Sequence, residues 1–211
     1  MWRHFKFKAK ITSSQPSRTA EKSRESSETS VTVKVNIDGK GDFNITTKVP
    51  FFTHVLQMIA KHGKIDLNVE ADGDLDHHVI EDATMLLGAA IKEALGDMKG
   101  IQRFGHAYVP MDESLARCVV DLSGRPYYIG DLKLRGLDIE TMKVEDIEHF
   151  LLTLAQNLKA NVHVKVLYGE NDHHKVEAAV KALALALRFA MKFDEKALDE
   201  IPSTKGVLDV E

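Results

Sequence analysis

One short motif occurs twice in this chain, and its repetition constrains the fold more than any other feature. The two copies are Asp76-His77-His78-Val79-Ile80-Glu81 and Asp172-His173-His174-Lys175-Val176-Glu177. A further histidine precedes each copy, with His54 lying 23 residues before His77 and His149 lying 24 residues before His173. Self-similarity at a fixed distance is the signature of a duplicated structural unit. The chain is therefore expected to fold as two related halves.

The order of predicted elements is repeated as well. Alternating apolar and polar residues predict strands, and apolar residues at helical spacing predict helices. The first half is predicted to contain strands 31–37 and 42–49, helix 50–63, strand 65–71 and helix 77–95. The second half is predicted to contain strands 115–122 and 127–134, helix 144–158, strand 162–167 and helix 173–192. This order predicts an α+β fold with internal duplication of a β-β-α-β-α unit, forming two sheets that are each covered on one face by helices.

The distances between matched residues show where the halves differ in length. Gly39 and Gly124 lie 85 residues apart but His54 and His149 lie 95 apart, so about ten extra residues fall in the connection at 135–142. The predicted domain boundaries are a flexible leader at 1–23, a first half at 24–102, a second half at 103–193 and a tail at 194–211. The leader is predicted because this segment has no apolar periodicity and its first twenty residues contain no acid.

Composition excludes several classes of protein. The 211 residues are 44% hydrophobic, enough for a sizeable core, and the net charge of -4 implies no polyanionic partner such as nucleic acid. The one cysteine, Cys118, rules out a disulfide framework and a thiolate metal site. No apolar run is long enough for a transmembrane helix, so no membrane association and a cytoplasmic location are expected. A plastid is the alternative if the acid-free leader is a transit peptide.

The repeated motif has the spacing of a metal site. On a helix its first histidine and its glutamate are four residues apart and share a face, whereas the second histidine is turned by about 100°. Each segment thus offers ligands in two directions, which suits bridging two metals or two subunits. Six histidines and two glutamates would supply three imidazoles and one carboxylate to each of two ions such as Mn, Fe, Co or Zn. The alternative is that both histidine pairs are satisfied by ordinary hydrogen bonds, which the matched duplication disfavours.

Four ligands for each ion leave two positions of an octahedron open, which is typical of catalytic rather than structural metal sites. A second polar set consists of basic and hydroxyl residues in otherwise apolar or turn contexts: Arg103, Arg125, Lys181, Ser203, Thr204 and Lys205. If these residues converged they would form a phosphate site, since such groups make charge-assisted bonds to phosphate oxygens. From spacing alone, the better explanation of each basic residue is a solvated surface charge.

Several segments together resemble the imidazoleglycerol-phosphate dehydratase family, from about Arg18 to Val210. The resemblance is carried by segments 24–29 (RESSET), 52–56 (FTHVL), 62–63 (HG), 76–82 (DHHVIED), 103–105 (RFG), 110–113 (PMDE), 121–126 (DLSGRP), 171–178 (NDHHKVEA) and 203–206 (STKG). The resemblance implies a hydro-lyase of histidine biosynthesis that converts D-erythro-imidazole glycerol phosphate into imidazole acetol phosphate. It also implies the fold of the second domain of ribosomal protein S5.

The family's functional residues carry over position by position. The resemblance implies two Mn²⁺ ions per active site, held by His54, His77, His78, Glu81, His149, His173, His174 and Glu177. It implies substrate contacts from Glu28, His62, Arg103, Arg125, Lys181, Ser203, Thr204 and Lys205, which makes 194–211 a substrate-binding tail. It implies a homo-oligomer in which trimers assemble into a 24-subunit shell with active sites between subunits. One departure is Thr53, where the family usually has an Asp that would orient the ligand His54.

The chemistry explains why metals are expected. The C–H bond that breaks has no neighbouring carbonyl to stabilise a carbanion, whereas a substrate imidazole bridging two metals as an imidazolate has electrons to expel a hydroxyl. Glu28 is the expected catalytic acid/base, with Asp112 and Glu113 as alternatives. Glu113 is the counterpart of Glu28 in the second half and is expected to be structural or to support a ligand residue. Two other hypotheses are a metal-storage shell, which leaves the basic residues unexplained, and a two-metal phosphohydrolase, whose metals are usually bridged by carboxylates.

Overall fold

The computed structural model describes residues 17–208, which form two four-stranded sheets and four long helices. The first half contains β1 (Thr19–Glu25), β2 (Thr29–Asn36), β3 (Phe43–Thr47), α1 (Pro50–Gly63), β4 (Asp66–Gly73) and α2 (Asp76–Leu95). The second half contains β5 (Phe104–Met111), β6 (Ser114–Asp121), β7 (Tyr127–Asp131), β8 (Asp138–Ile139), β9 (Met142–Lys143), α3 (Val144–Leu158), β10 (Asn161–Tyr168) and α4 (Asp172–Met191).

Both sheets have the same topology. The strand order is β1-β2-β4-β3 in the first sheet and β5-β6-β10-β7 in the second. In each sheet one pair is parallel, β3 with β4 and β7 with β10, and a helix connects the two strands of that pair, while the other pairs are antiparallel. The identical order confirms the α+β fold and its internal duplication.

The helices fill the space between the two sheets. Alternation along the strands buries one face of each sheet, as with Val31, Val33 and Val35 on β2. Helix α2 packs on β1, β2 and β4, and α4 packs on β5, β6 and β10. Between the halves, α1 packs against α4 and α2 against α3. Every helix therefore contacts both its own sheet and a helix of the other half, and the two inner helix pairs are where the halves meet.

The duplication extends to the backbone at the helix ends. Pro50 occupies the first turn of α1, where its missing N–H costs no hydrogen bond. Helices α1 and α3 both end at a left-handed residue, Lys64 with φ 56° and Lys159 with φ 57°, and these residues are 95 positions apart, like His54 and His149. The long helices α2 and α4 both begin at the aspartate that opens the repeated motif.

Two features differ from the sequence-based predictions. Each half begins with one further strand, β1 or β5, and residues 19–23, which were predicted to belong to a leader, form part of β1. Strand β1 was missed because its side chains are mostly polar and none of them is buried, so it shows no clear apolar alternation. Residues 1–16 of the predicted leader and residues 209–211 lie outside the described residues. Among residues 17–208, no helix is long and apolar enough to cross a membrane.

Candidate metal centre

Six of the eight predicted ligands gather in two places, one at each contact between helices of opposite halves. Cluster one consists of His54 on α1 with His173 and Glu177 on α4. Cluster two consists of His149 on α3 with His77 and Glu81 on α2. Each cluster therefore takes its single histidine from one half and its histidine–glutamate pair from the other, since α1 packs on α4 and α3 packs on α2.

In cluster one, two imidazoles contact the same carboxylate oxygen. The Nε2 atoms of His54 and His173 lie 3.1 Å and 3.0 Å from Oε1 of Glu177. The other oxygen of Glu177 accepts a hydrogen bond from the Lys181 ammonium, one turn further along α4. Burial acts to raise the pKa of Glu177, but hydrogen bonds from Lys181, His54 and His173 outweigh it and hold the pKa at about 2. The carboxylate is therefore ionised and available as a ligand throughout the neutral range.

Cluster two is more open and has the geometry of a cation site. Nε2 of His77 lies 3.9 Å from Oε2 of Glu81, and Nε2 of His149 lies 3.5 Å from Oε1. One ligand atom from each of the three residues lies within 4.8 Å of the others, the spacing expected around a single ion. The Glu81 side chain is 45% exposed, against 10% for Glu177. The residue one turn after Glu81 is Met85 rather than a lysine, so a competing ammonium is missing at that position.

Carboxylates hold the far side of the motif histidines. Nδ1 of His77 lies 2.6 Å from the buried Asp146 on α3, and Nδ1 of His173 lies 3.1 Å from Glu140 in the hairpin between β8 and β9. When a carboxylate accepts the Nδ1 proton, the Nε2 lone pair is directed into the cluster, which is the usual arrangement around a metal-binding imidazole. Imidazole and carboxylate donors with such partners fit a borderline divalent cation.

The second histidine of each pair faces away from both clusters. Nδ1 of His78 lies 2.7 Å from Asp74, and Nδ1 of His174 lies 2.7 Å from Glu113. The pKa of each imidazole is raised, chiefly by its hydrogen bond to that carboxylate. Oε2 of Glu28 lies 4.0 Å from Nδ1 of His78. The chain thus presents two inward sets of three donors and two outward histidines, in the two directions expected from helix geometry.

Two predicted substrate-binding residues lie beside cluster one. His62, in the last turn of α1, is half-buried, and its pKa is lowered first by burial and then by the positive charge of Lys181. Lys181 itself donates to Glu177 and to the sulfur of Met111. A neutral imidazole and an ammonium therefore border the carboxylate of cluster one.

The remaining predicted substrate-binding residues lie elsewhere in the chain. The Arg103 guanidinium donates to Asp121 at 2.7 Å and to the carbonyl of Pro202 at 2.8 Å, which ties β5 to the C-terminal tail. The tail residues Ser203, Thr204 and Lys205 form a turn there that is largely exposed, and Arg125 occupies an exposed turn after β6. The Arg103 amide bonds to Ala190, nine residues beyond Lys181 on α4, or roughly 13 Å along the helix axis. The Arg103 backbone is therefore more than two helical turns away from Lys181.

Two residues at the clusters were missed by sequence reasoning. Asp146 precedes the ligand His149 by three residues and thus shares its helix face, a spacing that could have revealed it. Glu140 lies in a connection without periodicity, so its role had no signal in the sequence. Thr53, whose position was noted above as a departure, places its hydroxyl 2.8 Å from that of Thr47.

The chain is also similar to known proteins of one family. Residues 47–187 match the family model described as imidazoleglycerol-phosphate dehydratase. Proteins with that name from Albidiferax ferrireducens and Phenylobacterium zucineum are 47% and 49% identical, over 92% and 91% of this chain and 96% and 100% of their own. The crystal structure of the Staphylococcus aureus protein superposes with a TM-score of 0.76 at 35% identity, over 83% of this chain and 99% of the other. A structure from Pyrococcus furiosus gives 0.76 at 37% identity, over 89% and 100%.

Proposed function

This chain belongs to the imidazoleglycerol-phosphate dehydratase family, and we propose that its reaction depends on Mn²⁺ held by both clusters, two ions per active site. The reaction is the dehydration of D-erythro-imidazole glycerol phosphate to imidazole acetol phosphate in histidine biosynthesis, which makes the protein a hydro-lyase. The observation that carries the metal proposal is the pairing of imidazole Nε2 atoms around one glutamate in each cluster.

The proposed ligand sets are completed between subunits. His78 and His174 face away from the clusters of their own chain, so they are placed to serve ions held mainly by a neighbouring copy. The separation of Lys181 from Arg103 supports the same conclusion, because a phosphate bound by both requires groups from more than one chain. We therefore propose a homo-oligomer with active sites between subunits, and the 24-subunit shell and the cytoplasmic location remain predictions from the sequence.

The metal ions would supply Lewis acidity that favours the deprotonated, electron-rich form of the substrate imidazole. The protein's own task is to move one proton and hold the phosphate. Glu28 accepts the proton from the carbon next to the one that carries the departing hydroxyl and delivers it to that hydroxyl, which leaves as water. The resulting enol tautomerises to the ketone. Arg103, Arg125, Lys181, Ser203, Thr204 and Lys205 are proposed to bind the phosphate, with His62 contacting the rest of the substrate.

The test is to incubate metal-stripped and Mn²⁺-loaded protein with imidazole glycerol phosphate and to quantify the ketone and inorganic phosphate separately. Ketone formation that appears only with the metal and leaves phosphate attached supports the proposal. Ketone formation at full rate after chelation contradicts the metal dependence. Release of inorganic phosphate would support a two-metal phosphohydrolase, and neither product would support a metal-storage shell.

Acid provides a second test because ligand imidazoles must be neutral to bind a metal. Glu177, with its pKa of about 2, remains ionised well below neutral pH, so protonation of histidines governs the loss of metal. Activity, bound Mn²⁺ and large assembly are therefore expected to be lost together below about pH 6, near the reference histidine pKa. Size-exclusion chromatography with metal analysis checks this expectation, and an assembly that persists unchanged without metal at that pH contradicts it.

A further inference from the structure

Most of the extra residues of the second half form an arm that reaches into the first half. The arm is defined as residues 135–143, which include the hairpin of β8 and β9. In the first half only two residues separate β3 from α1, whereas twelve separate β7 from α3. Because the rest of the unit is duplicated closely, this insertion is the part of the second half that has no counterpart in the first.

Two side chains of the arm contact the surroundings of cluster one. The Thr141 hydroxyl accepts a hydrogen bond of 2.9 Å from the backbone N–H of Phe51, in the first turn of α1. It thereby satisfies one of the free amides at this helix start, where Val49 has no polar side chain to do so. The neighbouring Glu140 places Oε1 3.1 Å from Nδ1 of His173. The arm of one half therefore contacts both helices that build cluster one.

Comparison with cluster two shows what Glu140 replaces. There, Nδ1 of His77 is held by Asp146, which is three residues before His149 on α3. The matching position on α1, three residues before His54, is Phe51, whose ring centroid lies 5.2 Å from that of His173. A phenyl ring cannot accept the Nδ1 proton as a carboxylate does. Cluster one therefore receives its carboxylate from the arm.

The backbone at Glu140 is an independent sign that this side chain has a task. Glu140 has a φ of 52°, in the left-handed region that glycine, asparagine and aspartate normally occupy. It stands first in the two-residue turn between Ile139 and Met142, which pair in the hairpin. A glycine would relax this turn, so a glutamate at this position costs local stability, as residues held in such conformations at functional sites do.

A buried lysine fastens the base of the arm to α4. Lys175 is 1% exposed, and its ammonium donates to the carbonyl of Lys133 at 2.9 Å and to Oδ1 of Asp172 at 2.7 Å. The other oxygen of Asp172 accepts from the backbone N–H groups of Arg135 and Gly136, at 2.7 Å and 2.8 Å. A buried ammonium requires such partners, and the first copy of the motif has Val79 at the same position.

We propose that Glu140 is a positioning residue that sets the tautomer and orientation of His173 for cluster one, and that the Lys175–Asp172 pair holds the arm in place for it. The proposal rests on the metal-dependent function above and assigns the arm to one cluster only. A carboxylate partner of a metal-binding imidazole typically changes metal affinity by about 10- to 100-fold. The loss expected without Glu140 is at least about tenfold at cluster one and none at cluster two.

The experiment separates the two clusters by variants of the full-length chain. His149→Ala leaves cluster one as the stronger site, and His54→Ala leaves cluster two. Mn²⁺ is titrated against a chelator in each background with and without Glu140→Ala. The expected result is a loss of at least about tenfold in the His149→Ala background and no change in the His54→Ala background. The proposal would be overturned if Glu140→Ala left the Mn²⁺ affinity unchanged in the His149→Ala background. It would also be overturned if Glu140→Ala lowered the affinity equally in both backgrounds.

Glu145→Ala is the matched control. Glu145 is an exposed acid in the first turn of α3 that pairs with Lys143 at 3.6 Å, so removing it changes the local charge equally without touching His173. Its Mn²⁺ affinity should match the parent in both backgrounds, and a loss equal to that of Glu140→Ala would reduce the effect to general electrostatics and overturn the proposal. If neither parent background binds Mn²⁺, the metal part of the proposed function fails as well. Binding in the parents without an effect of Glu140 overturns the positioning role alone.

Two further variants distinguish positioning from structure. Glu140→Gly should lower Mn²⁺ affinity as Glu140→Ala does while keeping or raising the melting temperature, because it relaxes the turn. Lys175→Met should speed amide hydrogen exchange at Arg135 and Gly136. It should also weaken Mn²⁺ binding, as the Glu140 variants do. Unchanged exchange there would remove Lys175 from its role. If Lys175→Met does not fold, the exposed Glu140 variants still decide the proposal.

Discussion

Clusters one and two descend from the same duplicated unit, yet their surroundings differ. Cluster one has a buried glutamate bonded to Lys181, a phenyl ring beside His173 and a carboxylate delivered by an inserted arm. Cluster two has a half-exposed glutamate, a methionine in place of the lysine and a buried aspartate on its own helix. The duplication has preserved the positions of the ligands while the residues around them have diverged. The two clusters are therefore expected to share metal binding and to differ in their contact with the phosphate substrate.

The largest expected difference between the halves concerns the matched glutamates Glu28 and Glu113. Glu28→Gln should lower kcat by about 10²- to 10⁴-fold with little change in KM, since a general acid/base contributes that much. Glu113 is instead engaged by the amides of Glu170 and Asn171 and by His174, and its hydrogen bonds, led by that from His174, hold its pKa far below the usual range. Glu113→Gln should mainly lower the melting temperature and metal affinity.

Steady-state kinetics of metal-saturated protein measure this difference. The assignment of Glu28 as the proton-transfer residue is wrong if Glu28→Gln retains full kcat. The proton-transfer role belongs to Glu113 instead if Glu113→Gln causes the larger loss of kcat.

A smaller difference is expected from Lys181 and its counterpart Met85. Lys181→Met should raise KM by about 10- to 100-fold, which corresponds to the loss of one or two charge-assisted hydrogen bonds to phosphate, without loss of bound metal. Met85→Lys places an ammonium one turn after Glu81 and should weaken metal binding at cluster two by repulsion, by less than about tenfold.

The double variant Lys181→Met/Met85→Lys tests whether the clusters are interchangeable. Its KM should remain as high as that of Lys181→Met alone, because only cluster one borders the phosphate. Recovery of the parental KM in the double variant would show that the two clusters are equivalent for the substrate. Product formation as a function of substrate concentration provides the measurement.

The smallest effect is expected at Asp66 and Asn161, which start the paired strands β4 and β10. The Asp66 carboxylate accepts hydrogen bonds from the amides of Lys40, Gly41 and Asp42, whereas the Asn161 amide donates to Ser123 and Arg125. The two matched side chains therefore stabilise their turns in opposite ways, Asp66 as an acceptor of hydrogen bonds and Asn161 as a donor. Asp66→Asn and Asn161→Asp should each cost about 1–2 kcal/mol, since each leaves a donor or acceptor without a suitable partner.

The pH dependence of the Asp66 effect follows from its pKa. Burial raises that pKa, but the backbone hydrogen bonds from Asp42, Lys40 and Gly41 outweigh it and lower the pKa below its usual value of 3.8. The stability from Asp66 is therefore fully present above the unfolded pKa and is lost as pH falls through the folded value. In urea unfolding, the difference between Asp66→Asn and the parent should shrink below about pH 4. A difference that stays constant down to pH 3 would contradict this explanation.

The sequence predicted the duplicated elements well because their apolar periodicity is strong. Helices α1 and α3 begin and end where apolar spacing and Pro50 indicate, and the repeated motif fixes α2 and α4. Strand β1 was missed since its side chains are mostly polar and it is held by pairing with β2. The crossing of ligands between halves and the role of Glu140 depend on helix packing and on a long connection, which leave no local pattern.

The central claim is that each of the two clusters in one chain binds one metal ion. Counting the bound ions tests this claim most directly. Elemental analysis of protein loaded with Mn²⁺ and dialysed should give about two ions per chain for the parent. Because His54 belongs to cluster one and His149 to cluster two, His54→Ala and His149→Ala should each retain about one ion per chain. The double variant should retain none. Two ions retained in either single variant would contradict the account.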